Sequence, residues 1–100
     1  MLWRQGDILI AAIPSIPAEA VRQSGVVLAE GEITGHHHRI EDARSASLFV
    51  HRGELLLNVV APEAKLVHEE HGTIELTRGA YRVWRQREYD PGLRSRRVTD

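Results

Sequence analysis

Six histidines lie between residues 36 and 71, and none lies outside that stretch. Three are consecutive in Gly35-His36-His37-His38-Arg39, two frame a pair of acids in His68-Glu69-Glu70-His71, and the sixth is His51. Imidazole is the commonest protein metal ligand, and its ordinary pKa lies near neutrality. Such clustering points to metal binding or to proton transfer. The chain has no cysteine, so any metal is held by His, Asp, Glu or water.

The spacing sharpens this. Side chains alternate along a strand, so Thr34, His36, His38 and Ile40 share one face, while His37, Arg39 and Glu41 take the other. His36 and His38 then converge on one point and need a third ligand from elsewhere. His68 and Glu70 leave the same side of their own strand if pairing reaches them. The expected metal ligands are His36, His38 and His68, with Glu70 and His71 as the catalytic candidates. Glu70, or its neighbour Glu69, is ligand or general base. Zinc, iron, manganese and nickel all suit such a divalent site. An open coordination position beside a carboxylate suits metal-assisted hydrolysis or isomerisation of a small polar substrate. The same residues also suit metal-free acid–base or ligand-binding use, or a hydrogen-bonded structural role. A zinc-protease reading is excluded, because that signature needs His at i and i+4 on a helix, whereas His68 and His71 are three apart with Gly72 next.

The segment Gly31-Glu32-Ile33-Thr34-Gly35-His36-His37-His38-Arg39-Ile40-Glu41 resembles the first motif of the cupin family, a glycine, then His-x-His, then a glutamate. Gly79-Ala80-Tyr81-Arg82-Val83 is similar to the Gly-x-Tyr-x-Val strand entries of small β-barrels, cupins among them. The resemblance implies a barrel lumen with His36, His38 and Glu41 as metal ligands. The second cupin motif has no clear counterpart.

Charge is unevenly spread. Net charge is −1, but residues 1–77 carry −5 and residues 78–97 carry +5. Arg82, Trp84, Arg85, Arg87, Arg94, Arg96 and Arg97 form a basic, aromatic-bearing stripe. Such a stripe suits nucleic acid or an acidic partner, held without catalysis, as the alternative reading. Ordinary surface ion pairs account for the same residues equally well.

The elements that position these groups read as strands. Ile8–Ile13 is a short, β-branched apolar run ended by Pro14. Residues 26–30, 33–40, 47–51, 54–61, 64–68, 73–77 and 80–89 follow, separated by turn signals such as Arg52-Gly53, Pro62-Glu63 and Arg78-Gly79. Residues 16–23 offer at most one short helical segment, with Pro17 in its first turn. About eight short strands at regular spacing predict an all-β domain, a small β-barrel or sandwich. Residues 1–92 are read as one β domain and 93–100 as a basic C-terminal tail. Apolar residues at 42% suffice for a core. A 100-residue chain has little core to spare, which favours a homo-oligomer. With no signal peptide and no membrane-length apolar run, the expected location is cytoplasmic.

Overall fold

A computed structural model describes residues 1–30 and 35–86. Eight strands make one antiparallel sheet, as an all-β sandwich: β1 (Leu2–Gln5), β2 (Ile8–Ile13), β3 (Val21–Gln23), β4 (Val27–Glu30), β5 (His37–Ile40), β6 (Ala46–His51), β7 (Glu54–Val67) and β8 (Ile74–Arg85). The main path runs β1-β2-β8-β7-β5-β4, and β6 joins β7 to β3. The sheet does not close into a barrel: β1 and β4 end the path without pairing to each other among the described residues.

The expected pairs of short strands around Pro62 and Gly79 are instead two long, bent strands. Between Val59 and Glu63 the β7–β8 register shifts, so extra β7 residues face a single stretch of β8. Proline has no N–H to give a ladder and is tolerated at such a bulge. The N–H groups of Val60 and Ala61 both turn to the Ser45 carbonyl, at 2.9 and 3.2 Å. Opposite them Gly79 adopts φ +149°, which lacks a penalty only without a Cβ. The bend divides the edge of β7. Its first half pairs β6, with Leu48 opposite Leu57. Its second half pairs β5, with Ile40 opposite Leu66. The sheet thereby folds over its own apolar face.

That face carries the core. Ile8, Ile10, Ile40, Leu57, Leu66 and Leu76 are all essentially inaccessible. Cross-strand register explains the convergence: Leu55, Val83 and Ile10 lie in one row, and Leu57 and Tyr81 in the next. Only three polar residues are buried with them among the described residues: Gln5, His38 and Ser45.

Residues 16–23 form no helix. Ala18 and Glu19 turn, closed by the Ala20 N–H to Pro17 carbonyl bond, and Val21–Gln23 pairs with β6. Proline in a first turn nucleates nothing when the following residues find a ladder to join. The expected strand over residues 33–40 begins, among the described residues, only at His37. No helix of the described chain is long and apolar enough to cross a membrane. The expected tail, residues 93–100, lies outside the described residues.

Candidate metal centre

Three pieces of backbone meet at one end of the sheet: the start of β5, the residues just after β7, and the β1–β2 turn. The β5–β7 ladder ends with Arg39 opposite Val67. Extending that register sets His38 against His68, His37 against Glu69 and His36 against Glu70. The side chains follow this order. The His37 N–H donates to Glu69 Oε1 at 2.9 Å, and His36 Nδ1 stands 3.8 Å from Glu70 Oε2.

Four imidazoles gather there. The His68 ring centroid lies 4.2 Å from that of His38, 4.7 Å from His71 and 5.8 Å from His36. Within this group, nitrogen or oxygen atoms of His36, His68 and Glu69 all lie within 4.8 Å of one another. Ligand atoms on a tetrahedral ion with bonds of about 2.0–2.1 Å sit roughly 3.4 Å apart. Side-chain rotations of about 1 Å therefore close the set.

The chemistry of each donor bears on the fit. His36 Nδ1 is buried and has no hydrogen-bond partner among the described residues. An orphaned buried ring nitrogen costs roughly 1–3 kcal/mol unless something fills it. Glu69 holds the His37 N–H and, through Oε2 at 3.1 Å, Arg39. The backbone hydrogen bond, aided by the Arg39 charge, lowers its pKa to about 2, so it is an anion at neutral pH. Each oxygen keeps a lone pair for a metal. His68 Nδ1 accepts the Glu70 N–H at 3.0 Å. Ligation through that nitrogen exchanges the N–H for the ion.

His38 is the buried member, 2% exposed. Its Nδ1 lies 2.9 Å from Gln5 Oε1, while Gln5 Nε2 donates to the carbonyls of Leu66 and Gly72, both at 2.9 Å. Both amide hydrogens of Gln5 are therefore committed, and its oxygen can only accept. His38 Nδ1 carries the proton and Nε2 keeps a lone pair. Burial, with His68 beside it, lowers the His38 pKa from 6.5 to about 4, against an opposing pull from Asp7. The ring is neutral at pH 7.

The β1–β2 turn closes the site. Gln5 pairs with Ile8, leaving Gly6 and Asp7 at the tip. Gly6 has φ +60°, and a Cβ there would lie 2.7 Å from His71 Nε2. Asp7 Oδ1 is 3.8 Å from His38 Nε2, and its Oδ2 accepts from Arg85 at 2.6 Å. Gln5, Gly6 and Asp7 are not apparent as site residues from the sequence. The available signal is a Gly-Asp pair between two apolar-bearing runs, a hairpin tip.

The other expected residues lie around or away from this cluster. Glu70 and His71 are exposed beside it. His37 faces away, with Nε2 at 2.9 Å from Glu30. His51 ends β6 opposite Glu54. Glu41, implied by the cupin resemblance, is exposed beyond β5, at the opposite end of that strand from His36. Arg85 is committed inward: besides Asp7 it donates to the Glu30 carbonyl at 2.8 Å. Arg82 lies over the Trp84 ring at 4.2 Å and 3.6 Å from Glu54. Arg87, Arg94, Arg96 and Arg97 lie outside the described residues.

Fold and cluster together define an antiparallel β protein with a carboxylate-flanked imidazole group at one end of its sheet. The chain belongs to a family described as a domain of unknown function (DUF8820), matched over residues 4–86. That span takes in the whole cluster, from Gln5 to His71. No curated protein and no solved structure matches the chain.

Proposed function

We propose that this chain is a metal-binding β domain, with a divalent transition ion held by His36, His68 and Glu69. The orphaned, buried Nδ1 of His36 carries the reading, together with the spacing under 4.8 Å among ligand atoms of His36, His68 and Glu69. Two imidazoles and one carboxylate suit zinc, iron, manganese or nickel. Three protein ligands leave a position for water, and the exposed side of the cluster admits a small polar molecule to it. Glu70, exposed on that side, would be the base for such a water. Hydrolysis or isomerisation of a small polar substrate is the chemistry such a centre supports.

Protein purified without an affinity tag, dialysed against zinc and desalted, tests this by its metal content. One zinc per chain should be lost in His36→Ala and in Glu69→Gln, with circular dichroism unchanged. Metal content near zero in the wild type, or unaffected by both substitutions, rejects the proposal.

A further inference from the structure

We infer that the outward face of the sheet, the reverse of the one that carries the core, binds single-stranded nucleic acid. Trp84 and Phe49 stack bases there, and Arg4, Arg22 and Arg82 hold phosphates. This surface uses none of the residues of the metal reading and stands or falls apart from it.

Strand register brings these side chains together. Leu2 pairs Ala11, Ala11 pairs Arg82, Arg82 pairs Leu56, Leu56 pairs Phe49 and Phe49 pairs Arg22. That is one unbroken row across β1, β2, β8, β7, β6 and β3. Residues two apart on a strand share a face, so the next row on the same side holds Arg4, Leu9, Trp84, Glu54 and His51. Ile10, Leu57, Tyr81 and Val83, which alternate with them, belong to the core.

Both rows have the chemistry of an unpaired nucleic-acid strand. They carry three arginines against one acid, Glu54, in a chain whose net charge is −1. Arg4 and Arg22 are exposed. Arg82 stands 3.6 Å from Glu54, beyond hydrogen-bond length, so a phosphate engages it without breaking a hydrogen bond. Trp84 and Phe49 are partly exposed, and each has a guanidinium over its ring, Arg82 at 4.2 Å and Arg22 at 6.0 Å. Bases stack on aromatic rings and on guanidinium planes alike. The two rings stand on β8 and β6 with β7 between, about 12 Å apart from strand spacing and rise, so they serve separate bases. A duplex keeps its base faces inside its own stack and offers this surface only phosphates. An anionic lipid surface offers charge but nothing planar to stack.

The test is fluorescence anisotropy of a labelled oligothymidylate of about twelve nucleotides, with the full chain and chelator present. The wild type should bind this strand at least about fivefold more tightly than the same strand in a duplex. Trp84→Leu and Phe49→Leu should each weaken binding at least about fivefold and leave its salt dependence unchanged. Arg22→Gln and Arg82→Gln should each reduce the slope of log affinity against log salt by about 0.7. Arg44, exposed in the loop between β5 and β6, belongs to neither row, and Arg44→Gln should change nothing. Circular dichroism checks each variant, and the exposed Arg22 keeps the test decisive if an aromatic variant unfolds. No binding at low salt overturns the inference. So does an Arg44→Gln effect equal to that of Arg22→Gln, which would mark general charge attraction. Binding of phosphatidylglycerol vesicles, lost in Arg22→Gln, without binding of the oligonucleotide would assign the face to a lipid surface and overturn it equally.

Discussion

The buried, neutral His38 makes the metal-free protein acid-labile in a defined pH range. Its pKa is 6.5 in an unfolded chain and about 4 in the fold. Below pH 6.5 the unfolded state binds a proton that the native state refuses, so stability falls as pH drops. The loss continues through the folded pKa and ends near pH 4, where both states are protonated. Each pH unit is worth about 1.4 kcal/mol, so the whole range costs about 3 kcal/mol. That is a large share of the roughly 5–15 kcal/mol of a domain this size. The other strongly shifted group acts elsewhere: Glu69, lowered from 4.5 to about 2, contributes stability that is lost only as pH falls from 4.5 towards 2. Urea unfolding at half-unit steps from pH 7.5 to 4, with chelator present, measures the effect. His38→Gln keeps a hydrogen-bonding side chain in place and cannot titrate, so its stability should be flatter over the same range. If wild type and His38→Gln lose stability in parallel between pH 6.5 and 4, burial does not hold this ring neutral and the tautomer argument fails with it.

Three further outcomes follow from the same contacts. Long-range proton–nitrogen NMR at pH 7 without metal should show the Nδ1–H tautomer for His38 and the Nε2–H tautomer for His68; a reversed pair would contradict the roles of Gln5 and of the Glu70 N–H. Gln5→Leu strands the Leu66 and Gly72 carbonyls and the His38 N–H, which should cost about 3 kcal/mol in urea unfolding; a loss below about 0.5 kcal/mol would mean these groups are solvated. Gly6→Ala places a Cβ at φ +60° against His71 and, less closely, His38, which should cost about 1 kcal/mol and displace His71 most, seen as a larger change in the His71 ring shift than in that of His38.

Much of the fold was legible in the chain because the signals were local. β-branched apolar runs interrupted by Gly and Pro pairs specify antiparallel strands, and residues 8–13, 27–30 and 46–51 form them. The meaning of Pro62 and Gly79 was not local. Read alone, each marks a turn; in the structure each relieves one bend in a continuous hairpin, because Ser45 on a neighbouring strand takes up the displaced N–H groups. That bend, not the strand count, keeps the sheet an open, folded-over sandwich.

The candidate site divides in the same way. Strand alternation and the clustering of histidine pointed to His36 and His38 meeting His68 or His71, and the four rings do gather, although β5 begins only at His37 and alternation along it does not reach His36. Sequence could not say which imidazole is buried, which nitrogen bears its proton, or which acid stands nearest. Those properties depend on a β1–β2 turn some thirty residues before the first histidine, whose Gln5, Gly6 and Asp7 reach the site only because β1 lies beside β2 and the sheet folds over. Residue type supplied the donors, whereas tertiary structure decided their tautomers, their burial and their partners, because hydrogen bonds and desolvation are set by whatever the fold places within a few ångströms.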